Sequence, residues 1–194
     1  MTAFWLTATL VAAAEPGGSA IGSAKSAAVC QKCHGPSGDS VSPIFPRLNG
    51  QQADYLSGQL KAFRGHTRDD ARARTYMWIV SRDLDDKTIT ELGKYYASQK
   101  PTPAQNGGAL AAEGEKLYLN GDMARGVVPC QQCHGKAGDG NGVFPRVAGQ
   151  HAGYLRMVMG AFRSGLRKSD VMGPVAKPLT DREIEAISSY LAND

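Results

Sequence analysis

The sequence predicts an all-α chain made of two tandem domains related by internal duplication. Three observations carry that expectation. A motif of two cysteines and a histidine occurs twice, the second half of the chain repeats the first position by position, and apolar residues recur at helical spacing with no alternating strand pattern of useful length.

The 194 residues, 42% of them hydrophobic, describe a globular chain long enough for one ordinary domain or two small ones. All four cysteines fall in two patterns, Cys30-Gln31-Lys32-Cys33-His34 and Cys130-Gln131-Gln132-Cys133-His134. No thiol is left over for a disulfide framework or a catalytic nucleophile. The formal charge of +4 comes without a long basic run, so nothing points to nucleic acid or an anionic membrane surface.

Met1 to Ala14 form an apolar stretch ending in Ala12-Ala13-Ala14, followed by Glu15-Pro16-Gly17-Gly18, which reads as an export signal over residues 1–14. It has no positively charged opening, and the rival reading is an apolar tail. The run is well short of the roughly 20 residues a membrane span needs.

The repeat is followed at a small set of offsets. Cys30 and His34 match Cys130 and His134 at an offset of 100. Phe45-Pro46-Arg47-Leu48-Asn49-Gly50-Gln51 matches Phe144-Pro145-Arg146-Val147-Ala148-Gly149-Gln150 at 99, as do Tyr55-Leu56 with Tyr154-Leu155 and Ala62-Phe63-Arg64 with Ala161-Phe162-Arg163. From Met77 the offset is 95: Met77 with Met172, Leu84 with Leu179, Ile89 with Ile184, Tyr95 with Tyr190. Gaps confined to loops keep the buried helix stripes in phase, as a duplicated domain requires. The prolines and glycines of Gln99 to Gly108 stop helix, so domains are expected at 15–99 and 109–194 with a linker at 100–108. Units this small bury a modest fraction of their surface, and a bulky apolar prosthetic group would form much of each core.

Helices are expected in the order the pattern gives them. The first covers about Ile21 to Ala28. A middle helix carries Leu56, Leu60 and Phe63 on one face. The next starts near Asp85 with Ile89, Leu92 and Tyr96 inward. Leu110 to Leu119 precede the second motif, Leu155, Met159 and Phe162 mark its middle helix, and Thr180-Asp181-Arg182-Glu183 is a capping box opening a last helix with Ile184, Ile187 and Leu191 inward.

Cys-x-x-Cys-His sets two thiols about one helical turn apart, where both can add to haem vinyl groups while the adjacent histidine faces the iron. Structural zinc pairs such motifs 15 to 20 residues apart, whereas Cys33 and Cys130 are 97 positions apart. A thioredoxin-like pair needs a βαβ setting, which is absent from the pattern. Two covalent haem c groups are therefore expected, on Cys30, Cys33 and His34 and on Cys130, Cys133 and His134. As a formal count, two ferric haems with ionised propionates bring the holoprotein to about +2, a field suited to transient docking.

For the sixth iron ligands, Met77 and Met172 are the methionines that pair in the repeat. Met159 matches Leu60 on a core stripe, Met157 matches Gly58, and Met123 lies in an unpaired loop, so these read as packing or surface. His66 and His151 have no histidine counterpart and read as surface residues. Pro46 and Pro145 follow the motif histidines by 12 and 11 residues and either offer a backbone carbonyl to the other ring nitrogen or are ordinary loop prolines. Arg47, Arg146, Tyr55 and Tyr154 either pair with haem propionates or are solvated.

With the repeat, both haem motifs, the paired methionines, the Phe-Pro-Arg-x-x-Gly-Gln segments and Ala112-Glu113-Gly114-Glu115-Lys116-Leu117-Tyr118, the chain from about Gly17 to Asn193 resembles the cytochrome c4 family, the periplasmic dihaem class I cytochromes. The resemblance implies His/Met ligation in both domains, a pseudo-two-fold arrangement with the propionates facing each other, and transfer from a cytochrome bc complex towards a terminal haem-copper oxidase, with peripheral membrane association left open. A different class shares this architecture: a dihaem enzyme or subunit of sulfur oxidation, either a thiosulfate dehydrogenase, whose cysteine haem ligand has no spare counterpart here, or the cytochrome subunit of a sulfide dehydrogenase.

Overall fold

A computed structural model describes residues 20–192. The expected export signal lies outside the described residues. Among them there is no strand, only isolated bridges such as Gln150 with Ala192, and no helix is long and apolar enough to cross a membrane.

The first domain runs through α1 (Ala20–Lys25), a π-helical turn Ser26–Cys30, α2 (Gln31–His34), α3 (Ala53–Arg64), a second π-helical turn Ala73–Met77, α4 (Trp78–Ser81) and α5 (Asp86–Ala97). The second has α6 (Ala111–Asn120), α7 (Gln131–His134), α8 (Ala152–Ser164), α9 (Met172–Ala176) and α10 (Asp181–Leu191). Starts follow the expected chemistry. Asp85 accepts from Thr88 N–H at 2.6 Å to cap α5, and Thr180 with Glu183 forms the reciprocal capping box of α10.

In each domain the last helix is the hub. α5 packs on α1 and α3, and α10 packs on α6 and α8. The cores match through the repeat: Leu56, Leu84, Ile89, Leu92 and Tyr96 in one, Leu155, Leu179, Ile184, Ile187 and Leu191 at the same places in the other, joined there by Tyr118 and Val127. Domains of this length bury only a modest fraction of their surface, in line with a prosthetic group completing each core.

Residues 98–110 form no helix, and they are held down along the chain. Asn49 Nδ2 donates to Lys100 O and Thr102 Oγ1, Thr102 Oγ1 donates to Asp39 Oδ1, and Gln105 N–H donates to Ala192 O. Gly50 and Gly149 sit at φ +66° and +72°, and a Cβ at Gly149 would meet Thr102 O at 1.8 Å. Glycine is needed there twice over, for the left-handed backbone and for the passing chain.

Candidate haem sites

His34 ends α2 and His134 ends α7, both buried. Cys30 and Cys130 pack against the two cores, whereas Cys33 and Cys133, one turn on, are exposed. Each motif is thus a short helical turn with one thiol facing the core and one facing out. His34 Nδ1 lies 2.8 Å from Pro46 O, and His134 Nδ1 lies 2.9 Å from Pro145 O. A carbonyl only accepts, so Nδ1 carries the proton and Nε2 keeps its lone pair. Of the two readings of these prolines, the structure selects the carbonyl acceptor. Burial holds both imidazoles below the ordinary histidine pKa, against the opposing effect of the prolyl carbonyl, and so favours the neutral form that binds a metal.

In the first domain, Phe45 stands edge-on to the His34 ring at 6.0 Å between centroids and to Tyr76 at 5.5 Å. The motif histidine and the residue before Met77 therefore flank one aromatic ring. Met77 closes the second π-helical turn, where its carbonyl accepts from Ser81 Oγ at 2.7 Å. Met172 opens α9, its N–H donating to Ser169 Oγ at 3.0 Å. Both side chains are half-buried. Of the remaining methionines, Met159 packs against the second core, Met123 is exposed, and Met157 Sδ accepts from Arg72 Nε.

A family profile described as Cytochrome c matches residues 111–193. Cytochrome c4 of Thiocapsa roseopersicina is 39% identical over 186 residues, 93% of this chain and 94% of that protein. The chain belongs to the cytochrome c4 family. The crystal structure of reduced recombinant cytochrome c4 from Pseudomonas stutzeri superposes with a TM-score of 0.81 at 34% identity, over 90% of this chain and 98% of that one. The thiosulfate dehydrogenase electron acceptor of Thiomonas intermedia (strain K12) is 36% identical over 97% of this chain and 85% of that protein. This member of the cytochrome c4 family is accordingly a dihaem c-type electron carrier of two class I cytochrome c domains, each around one covalent haem c. The residues present fit that group: each domain offers two thiols and a neutral imidazole, its protonated nitrogen already engaged, on one helical turn.

The two cytochrome c domains meet across a pseudo-two-fold interface that the pattern of helices does not announce. Gln51 Nε2 donates to Arg146 O at 2.8 Å while its Oε1 accepts from Arg146 N–H at 2.7 Å. Gln150 does the same for Arg47, at 3.1 and 2.9 Å. Arg47 reaches Gly149 O at 2.8 Å and Asp39, and Arg146 pairs with Asp139 and Thr102 O, so neither guanidinium is solvated. Further out, Arg68 lies over the Phe63 ring and Arg167 over Phe162, another repeat-related pair. Arg167 crosses to Gln59 Oε1 at 3.0 Å and lies 3.4 Å from the Tyr55 hydroxyl. Burial alone would raise the Tyr55 pKa, and the guanidinium charges of Arg167 and Arg68 outweigh it.

His151 corrects the expectation of a surface residue. It is only 3% exposed, and its Nε2–H donates to Ser40 O of the first domain at 2.8 Å. An unpaired position in the repeat reads as surface when only one domain is considered, and the opposing domain supplies the burial. His66 is exposed and stacks on Trp78 at 4.0 Å. The roles of Gln51, Gln150, Arg68 and Arg167 are absent from the expectations. The repetition of Gln51 and Gln150 inside a shared segment was the available signal.

Proposed function

We propose that this protein shuttles single electrons in the periplasm from a cytochrome bc complex to a terminal haem-copper oxidase. In this reading His34 and Met77 ligate the first haem iron and His134 and Met172 the second, within domains at 15–99 and 109–194 joined by residues 100–108. The observation that carries it is the twice-repeated imidazole whose Nδ1–H is held by a prolyl carbonyl, which leaves Nε2 as an oriented donor in each domain. Bound haem supplies a one-electron ferric/ferrous couple. The chain's own residues orient the donors, exclude water and, with both axial positions filled, leave no open position for a substrate. The apolar run ending in Ala12-Ala13-Ala14 supports export, and the modest positive charge supports transient docking.

The test is reconstitution. Holoprotein should be reduced by a quinol-fed bc complex and reoxidised by a haem-copper oxidase, with no steady-state oxidation of thiosulfate or sulfide by the chain alone. A second reading draws on the 36% identity to a thiosulfate dehydrogenase electron acceptor. There the donor is a sulfur-oxidising dehydrogenase, and the chain is its cytochrome partner. Reduction by such an enzyme with its substrate, at a rate exceeding that of the bc complex, would select it.

A further inference from the structure

The peptide joining Pro46 to Arg47 is bonded at both ends. Its carbonyl accepts from His34 Nδ1–H at 2.8 Å, and its N–H donates to Gln150 Oε1 of the other domain at 2.9 Å. The peptide joining Pro145 to Arg146 repeats this, with His134 at 2.9 Å on its carbonyl and Gln51 Oε1 at 2.7 Å on its N–H. We propose that Gln150 and Gln51 are redox-positioning residues acting across the domain interface, Gln150 on the first haem and Gln51 on the second, each through the peptide that supports the other domain's axial histidine.

The physical route is short. An amide is a resonant unit, so an acceptor at its N–H shifts electron density onto its oxygen and makes that oxygen a stronger acceptor. A stronger bond at Nδ1–H gives the imidazole more anionic character and more donation to iron, which favours the ferric state and lowers the potential. Both glutamines are only 7% exposed, so water does not compete freely for these bonds. Their amide orientation follows from their partners. Arg47 N–H only donates and Arg47 O only accepts, so Gln150 must turn Oε1 to the first and Nε2 to the second, and Gln51 is fixed likewise on Arg146. His151 N–H and Gln52 N–H also donate to these two Oε1 atoms, at 3.1 and 2.9 Å, holding them in place.

This inference rests on His34 and His134 being the axial histidines. The experiment uses holoprotein carrying Gln150→Leu or Gln51→Leu, with potentials of the two haems resolved by spectroelectrochemistry and each histidine's ring protons followed by NMR. Gln150→Leu should shift the oxidised-to-reduced ratio of the first haem about threefold towards reduced at fixed potential, roughly 30 mV upward at 59 mV per tenfold. The second haem should stay in place, and Gln51→Leu should give the converse. In each variant the Nδ1–H resonance of the opposite domain's histidine should move upfield. Gln150→Glu keeps the acceptor and adds charge, so it should move the first haem downward. A shift of the glutamine's own haem, equal shifts of both haems as general loosening would give, or no shift overturns the proposal. Failure of the ligand assignment looks different: the ring protons of His34 or His134 would then show no hyperfine shift in the ferric wild type.

Discussion

Gly114 on α6 lies against the backbone of Ala186 on α10 so closely that a Cβ at Gly114 would fall 1.9 Å from the Ala186 carbonyl oxygen. Gly22 on α1 stands in the same relation to Glu91 on α5, with a Cβ at 2.5 Å from the carbonyl. The first and last helices of each domain thus cross where one of them has no side chain. Gly114→Ala must push the helices apart, and overpacking of this kind costs about 1 to 3 kcal/mol or more. Thermal melts should show the second domain destabilised by that amount and the first unchanged, with Gly22→Ala doing the converse.

Replacing Met77 by His should lower the potential of the first haem by a large fraction of the roughly 0.8 V that axial ligation spans, because imidazole donates more strongly than a thioether and favours ferric iron. The second haem should be nearly unaffected, and Met172→His should reverse the pattern. Near-infrared spectra of the ferric protein should carry the sulfur-to-iron band for two haems in the wild type and for one in each variant. Unaltered potentials and band intensity in either variant would remove that methionine as a ligand.

Asp70 gives the protein an acid-side dependence. Burial alone would raise its carboxyl, and the hydrogen bond and charge of Arg68 at 2.8 Å outweigh burial, so its folded pKa lies below the ordinary 3.8. Below 3.8 the unfolded chain takes up the proton first, so the stability from this pair is present in full above that value and is lost as pH falls through the folded pKa. Asp70→Asn should flatten this portion of the stability curve in pH-resolved melts. At neutral pH it should cost about 3 kcal/mol, since it leaves the largely buried Arg68 without its anion.

Domains of this length, with cores around Ile89 and Ile184, bury only a modest fraction of their surface, which implies that the apoprotein does not fold. A variant with all four cysteines replaced should lack native helix content by circular dichroism, and cooperative melting without haem would contradict the expectation.

The amino-acid sequence alone determined the duplication, the order of the longer helices, both haem motifs, the core stripes and the prolines that follow the histidines. It did not determine the short helices Trp78–Ser81 and Met172–Ala176 or the π-helical turn that ends at Met77. Each feature it determined is a local or periodic signal: a capping residue, a 3.6-residue period, a spacing set by covalent chemistry. The positions of Leu56, Ile89, Ile184 and Leu191 could be read for that reason. What only the tertiary structure decided is which residues join the two halves across the pseudo-two-fold arrangement that the resemblance implied. Nothing periodic distinguishes Gln51 from a solvated loop glutamine or His151 from a surface histidine. Their burial and their partners come from a surface that exists only once both domains have folded. The fate of the Pro46 and Pro145 carbonyls was open for a related reason, since a hydrogen bond across a loop depends on the path of the intervening backbone, which residue spacing bounds without choosing.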